Sequence, residues 1–232
     1  MPRQVPDGDA PLSAPEGPKQ PVWDLPVRLV HWLLACLITF SWWSVHNHHT
    51  DWHIWSGCAI LTLLIFRLLW GFVGSSTARF SSFVRGPRVL AEYLRGSWSG
   101  IGHTPLGALS VLALFGALAV QVSLGLISED EDGLYTGPLY RLVSTDTSDK
   151  ARDLHELWFN VILGLVILHL AAIIFYRLRG RKLTKPMITG RPAIEPGSQP
   201  MRPGKWWAAI ICLAIGIGVT RWIIAGAPPF SP

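Results

Sequence analysis

Five long apolar stretches, separated by polar or charged segments, dominate the pattern of the chain. They lie roughly at 27–45, 54–73, 105–127, 154–176 and 206–224. Each approaches the ~20 residues that a helix needs to cross a lipid bilayer. The pattern therefore predicts an all-α integral membrane protein with four helices close in sequence and a fifth transmembrane helix near the C-terminal end.

The segments outside these stretches suggest a division into four parts. Residues 1–22 hold six prolines and no apolar run, so we expect a disordered extension and not a signal peptide. Residues 23–185 would form the membrane domain. A linker rich in proline and glycine would follow at 186–205, and 206–232 would supply the additional helix and its tail.

A further segment, residues 79–98, mixes aromatic and aliphatic side chains with arginines on both sides of Gly86-Pro87. This composition suits an amphipathic segment lying in the membrane interface. It suits an ordinary basic loop equally well, and the sequence leaves the two interpretations open.

Composition supports the membrane assignment. Half of the residues are hydrophobic and 15% are charged, whereas soluble domains carry about a quarter charged residues. The net charge is +5, and the basic residues lie in short blocks beside apolar runs. This placement is typical of signals that orient a membrane protein, and it argues against nucleic acid as a partner. The three cysteines lie inside apolar runs, and the absence of a CxxCH motif means that any haem would be bound without a covalent link to cysteine.

The charged loops predict the orientation of the helices. The 46–53 connection has no Lys or Arg, and the 128–153 connection is acidic, whereas 79–95 and 177–185 are basic. The positive-inside rule then places the N-terminus, 79–104 and 177–205 of this multi-pass protein in the cytoplasm. Tryptophans cluster near both expected interfaces, as aromatic belts do.

Four histidines lie in or beside the apolar stretches: His31, His53, His155 and His169. Ionisable side chains are rare in membrane spans and usually mark function there. His155 and His169 are 14 residues apart on one predicted helix, so they lie within about 40° of the same face and about 21 Å apart along the axis. With the deduced orientation, His53 is level with His155, and His31 is level with His169.

Two pairs of histidines at two depths are what two stacked bis-histidine haems require. Neutral imidazole is a good ligand for iron, and two such ligands leave no open position on the metal. Electron transfer is then favoured over oxygen chemistry. A single membrane histidine is more often a helix–helix hydrogen bonder or an interfacial residue, so the interpretation depends on the four residues as a set.

Other polar residues suit this interpretation with less force. Arg28 precedes His31 by one turn, and Arg67 follows His53 by 14 residues; either suits a haem propionate, or a snorkelling or orienting role. On the outer side, His46, His48 and His49 suit either a metal site or a solvated loop.

Several motifs resemble the prokaryotic cytochrome b561 family, and most closely its branch related to the b-type cytochrome subunit of nickel-iron hydrogenases. The matching runs, spread over residues 22–185, are VWDLPVRLVHW, FVRGPRVLAEYLRG, GHTPLGALSVLAL, GLISEDEDGLYTGPL and LHELWFNVILGLVILHL. The resemblance implies a four-helix bundle with two haem b groups ligated by histidines of the first, second and fourth spans. Carried over residue by residue, the ligands are His31 in VHW, His53 opening the second span, His155 in LHELW and His169 in ILHL. The family pairing is His31 with His169 and His53 with His155, which agrees with the pairing by depth.

The leading functional hypothesis is a transmembrane electron conduit, a quinone-linked oxidoreductase, between membrane quinone and a redox partner on the periplasmic side. The acidic run 129–132 is more typical of a solvated loop, although it also suits a basic cytochrome c through electrostatic steering. The alternative is a membrane anchor for a dehydrogenase or hydrogenase complex. A third hypothesis, a haem-free transporter using the outer histidines, predicts colourless protein. The additional fifth helix could pack against a second copy of the chain or against a partner subunit, and the sequence does not decide between them.

Overall fold

The computed structural model describes residues 22–84, 86–95, 104–180, 182–191 and 201–229. All regular elements in these ranges are helical, apart from one isolated antiparallel bridge between Glu129 and Thr136. The predicted disordered extension 1–22 falls outside the described residues except for Val22.

The helices follow one another with short connections. In chain order they are α1 (Leu25–His46), α2 (Thr50–Val73), α3 (Phe80–Phe83), α4 (Pro87–Leu94), α5 (Pro105–Ile127), α6 (Thr145–Leu178), α7 (Thr184–Thr189) and α8 (Trp206–Ile224), with a 3-10 turn at Tyr140–Leu142. Helices α1, α2, α5, α6 and α8 are long and apolar enough to span a membrane. This confirms the all-α membrane fold and the fifth spanning helix.

Local sequence signals account for several helix starts. Asp24 caps α1 by accepting a hydrogen bond from the Val27 amide at 2.8 Å, and Thr104 caps α5 just before Pro105. Ser144 caps α6 ten residues before the apolar stretch that begins at 154. The apolar pattern marks only the part of α6 that suits the bilayer, because the polar turns 145–153 continue the helix beyond it.

The long helices pack as two pairs with an additional helix on one side. Helix α1 packs along α2, α5 packs along α6, and a smaller contact between α2 and α5 joins the pairs. Helix α8 lies along a further side of α2, where Thr62 donates a hydrogen bond to the Thr220 hydroxyl at 2.9 Å. Gly216 permits this approach, because a Cβ there would lie 2.9 Å from the carbonyl oxygen of Thr62.

The segment 79–98 contains the short helices α3 and α4, separated around Gly86. Helix α4 packs against α5, and its Tyr93 hydroxyl is hydrogen-bonded to the Tyr176 hydroxyl of α6. These contacts favour the amphipathic helical interpretation over the basic loop for the described part of the segment; residues 85 and 96–98 lie outside it.

The predicted linker 186–205 begins within α7. The turn after this helix is bonded to the start of the membrane domain, because the carbonyl of Gly190 accepts from the amides of Val22 at 2.9 Å and Trp23 at 3.2 Å. Residues 192–200 lie outside the described part of the chain. Residues 186–191 therefore pack against the N-terminal end of α1.

Candidate functional site

The four histidines singled out from the sequence come together as two pairs. His31 on α1 faces His169 on α6, with 6.4 Å between the ring centroids. His53 near the start of α2 faces His155 on α6, with 5.9 Å between the centroids. All four residues are partly buried. The contacts bring together the residues that the sequence placed at equal depth.

The spacing of the rings suits one metal atom between each pair. Metal–imidazole bonds of about 2 Å, with about 1.2 Å from nitrogen to ring centroid, place two centroids at most about 6.4 Å apart. The measured separations of 6.4 Å and 5.9 Å are at this limit and just below it. Each pair therefore has the separation that a bis-histidine metal site needs.

Main-chain carbonyls hold both rings of the His53/His155 pair. The Nδ1 atom of His155 lies 2.9 Å from the carbonyl oxygen of Gln121 on α5. The Nδ1 atom of His53 lies 3.1 Å from the carbonyl oxygen of Ser41 and 3.0 Å from the hydroxyl of that residue. Because a carbonyl only accepts, each Nδ1 carries the proton, and each Nε2 keeps a lone pair for a metal.

The His31/His169 pair has weaker contacts to its surroundings. The Nδ1 atom of His169 lies 3.4 Å from the Ser110 hydroxyl. The Nδ1 atom of His31 is buried and has no hydrogen-bond partner among the described residues, and the ring meets Trp32 edge-on at 5.1 Å. A buried polar atom without a partner suits a ring whose orientation depends on a bound group.

The helices leave room beside the histidines. Among the described residues, α6 does not pack closely on α1 or α2, and only Ser148, Ala151 and Ile162 of its 34 residues are buried. A Cβ on Gly57, one turn after His53, would meet nothing within 4 Å. At the His53/His155 pair, the ring spacing, the assigned Nδ1 protons and the space at Gly57 together fit a flat haem. The His31/His169 pair shares the ring spacing.

The two predicted arginines lie near the arginine-rich end of the bundle, which is the end that carries the described residues of 67–95 and 177–191. Arg67 is 7% exposed, and its Nη1 atom has no partner among the described residues, while its guanidinium lies 5.2 Å from the Phe80 ring centroid. Arg28 donates from Nη1 to the carbonyl of Ile188, and its Nε atom is buried without a described partner. Each arginine therefore retains hydrogen-bonding capacity for a further group.

The sequence analysis did not predict several residues that lie around these sites. Asp24 accepts a hydrogen bond at 2.9 Å from the indole of Trp70, which is 1% exposed, and so ties the start of α1 to α2. Asp24 could have been found, because an Asp two residues before a proline is a helix-start signal. Gln121 and Gly125, which contact His155, carry no such signal, because their roles depend on the register between α5 and α6.

The outer histidines do not converge on one point. His46 packs on Trp42 with 4.5 Å between ring centroids, and His49 stacks on Trp52 at 4.5 Å. Within the described part of the chain, no group of three or more His, Cys, Asp or Glu residues is arranged to hold a metal ion. The hypothesis of a metal site here gains no support.

Comparison with known proteins gives the family. The family model for prokaryotic cytochrome b561 matches residues 22–190, well over half of the chain. No curated protein and no solved structure matches. The match covers α5 and the three spans that carry the paired histidines, and it ends before α8. This chain, a multi-pass membrane protein, therefore belongs to the prokaryotic cytochrome b561 family of electron-transferring b-type cytochromes.

Proposed function

We propose that the protein transfers electrons across the membrane through two b-type haems, one held by His53 and His155 and one by His31 and His169. The observation that carries the proposal is the His53/His155 pair, with 5.9 Å between the centroids and both Nδ1 atoms turned toward main-chain carbonyls. Membership of a family of membrane b-type cytochromes supports the same conclusion.

Haem b bound at these pairs would supply a one-electron iron couple. His31, His53, His155 and His169 would hold these groups through their imidazoles, and two imidazoles at one iron would disfavour oxygen binding and favour electron transfer. The carbonyls of Ser41 and Gln121 hold two of the rings in a fixed tautomer and orientation. Such hydrogen bonds to a ligating histidine also make it a more basic ligand.

The two proposed sites divide the thickness of the membrane between them. His155 and His169 are separated by 14 residues of α6, about 21 Å of helix, in a hydrocarbon core of about 30 Å. This arrangement favours transfer between the two surfaces over chemistry at a single surface. We assign Arg67 to a propionate of the His31/His169 haem, since its buried Nη1 atom has no described partner. A role for Arg28 in binding a propionate of the same haem remains a prediction.

The proposed electron partners follow from the expected orientation. With the arginine-rich end in the cytoplasm of a bacterial inner membrane, the His53/His155 pair faces the periplasm. We propose membrane quinone or quinol as one partner, and a periplasmic cytochrome c or a dehydrogenase or hydrogenase subunit as the other. Glu131 and Asp132 are exposed in the loop after α5, where they would attract a basic partner.

An anchoring role in a larger complex is the second candidate. Helix α8 lies beyond the family match, and large apolar side chains on it are exposed, Ile210 and Ile217 among them. A subunit that covered this face would make the chain a membrane anchor. Co-purification of a large soluble subunit with the native protein would favour that role over a free-standing conduit.

The central test is a pyridine haemochrome assay with a reduced-minus-oxidised difference spectrum on purified protein. Two haem b per chain with low-spin spectra are expected, and quinol-dependent reduction would then test the proposed partner. One haem per chain would remove one histidine pair from the proposal. Colourless protein, shown to be folded and produced with sufficient haem, would overturn it.

A further inference from the structure

A cavity of about 720 Å³ lies at the arginine-rich end of the bundle. It is bounded by the start of α1, the turn after α7 and the start of α8. The residues of its lining that matter here are Asp24, Arg28, Arg191, Gly190, Gly204 and Trp206. The volume is within the range of ordinary small-ligand sites.

The cavity is closed by residues outside the matched family region. The family match ends at residue 190, whereas Arg191, Gly204 and Trp206 belong to the connection to α8 and to that helix. A Cβ on Gly204 would lie 2.6 Å from the Trp70 ring, and one on Gly190 would lie 3.2 Å from Cζ of Arg28. Glycine at both positions lets the walls approach this closely.

Positive charge dominates the described lining. Arg28 and Arg191 are its cations, and Asp24 is its carboxylate. Both Asp24 oxygens are engaged, one by the Val27 amide and one by the Trp70 indole. The Nη1 atom of Arg28 donates to the Ile188 carbonyl, and Arg191 is exposed. The described lining therefore carries two guanidinium groups against one carboxylate whose two oxygens already accept hydrogen bonds.

The rim has the character of a membrane interface. Trp206 is 75% exposed and Leu25 is 57% exposed, and both line the cavity. Tryptophan is enriched where headgroups meet acyl chains. Guanidinium groups bind a phosphate in preference to the neutral carbonyl of a quinone ring. Basic pockets between membrane helices bind acidic lipid headgroups.

We propose that this cavity binds the phosphate of an anionic phospholipid, held by Arg28 and Arg191, and that the lipid ties α8 to the four-helix bundle. Phosphatidylglycerol and cardiolipin both present this chemistry. The site shares Arg28, on α1, with the proposed haem region, so lipid binding and haem content are measured separately.

The test compares the full-length, haem-loaded protein with Arg28→Gln, Arg191→Gln and the double variant. Delipidated protein in detergent is titrated with phosphatidylglycerol, cardiolipin or phosphatidylcholine, and bound lipid is counted by native mass spectrometry. The melting temperature is followed in parallel. The matched control is Arg177→Gln, since Arg177 is an exposed arginine at the same end of the bundle that does not line the cavity.

We expect one retained anionic lipid per chain and a rise in melting temperature that phosphatidylcholine does not reproduce. Each cavity variant should weaken this binding about fivefold, and the double variant about 25-fold, because one interfacial arginine is worth about that factor. Arg177→Gln should bind the lipid as the wild type does, and the haem content of Arg177→Gln and Arg191→Gln should stay unchanged.

Other outcomes would overturn the proposal. If the double variant retained as much anionic lipid as the wild type, the arginines would not bind it. If phosphatidylcholine bound and stabilised the protein equally, the lipid effect would not depend on a negative headgroup. Displacement of the bound lipid by a short-chain quinone at matched concentration would assign the cavity to quinone. Loss of one haem in Arg28→Gln would instead support the propionate role of this arginine.

Discussion

Gly125 on α5 lies directly against the imidazole ring of His155 on α6. A Cβ on Gly125 would come within 2.9 Å of Cε1 and 3.2 Å of Nδ1 of that ring. The same Nδ1 atom is hydrogen-bonded to the carbonyl of Gln121, one turn earlier on α5. One face of α5 therefore provides both the space for the ring and the acceptor that orients it.

Gly125→Ala should weaken haem binding at the His53/His155 pair about tenfold or more, because the displaced ring loses the carbonyl that orients it. The other haem should be retained. Haem content and difference spectra of purified protein measure both. The matched control is Gly116→Ala on the same helix, where a Cβ would meet nothing within 4 Å. Identical spectra for wild type and both variants would show that the contact does not position the ligand.

His53→Ala or His155→Ala should remove one haem and leave the other, and His31→Ala or His169→Ala should do the reverse. The reason is that each ring faces a single partner, at 5.9 Å or 6.4 Å between centroids. The haemochrome assay counts what remains, and size-exclusion chromatography checks that each variant is folded. Loss of both haems from every folded variant would argue against separate sites.

Arg67→Gln should lower the reduction potential of the haem proposed for the His31/His169 pair, because a buried positive charge favours the reduced iron. A redox titration followed by optical spectroscopy measures the shift. Arg88→Gln is the control, since Arg88 is an exposed partner of Glu92 at the same end of the bundle. An unchanged potential in Arg67→Gln, with both haems retained, would separate Arg67 from the haem.

Trp70→Phe should destabilise the fold by about 1–3 kcal/mol, because it leaves the Asp24 carboxylate, 9% exposed, without its indole donor. A lower melting temperature in detergent is the expected result. Trp207→Phe changes the same residue type at an exposed position of the same end and should have little effect. Equal melting temperatures for the two variants would mean that the indole hydrogen bond contributes little.

Gly216→Val should loosen α8 from α2 without removing haem, because its side chain would meet the Thr62 carbonyl. Gly218→Val, on the exposed side of the same helix, meets nothing within 4 Å and serves as the control. Faster proteolysis between α7 and α8 reports the loosening. Loss of haem in Gly216→Val alone would show that α8 supports the haem-binding helices.

Much of the fold was predictable because the cost of burying polar groups in lipid restricts which stretches can span it. The five apolar stretches became α1, α2, α5, α6 and α8. The start of α6 at Thr145 was not predictable from them, since the polar first turns follow the Ser144 cap and not hydropathy. Gln121 and Gly125 were also missed, because nothing near them in sequence shows that they lie beside His155.

By itself, the amino-acid sequence determined the spanning helices and the positions of the four histidines along them, because both depend on local hydropathy and on the fixed rise of a helix. Tertiary structure alone decided which carbonyls orient His53 and His155, and that Trp70 bonds to Asp24. It also placed α8 so that a cavity forms beside Arg28. These features depend on the rotation and register of one helix against another, which side-chain packing sets over distances that no local pattern encodes.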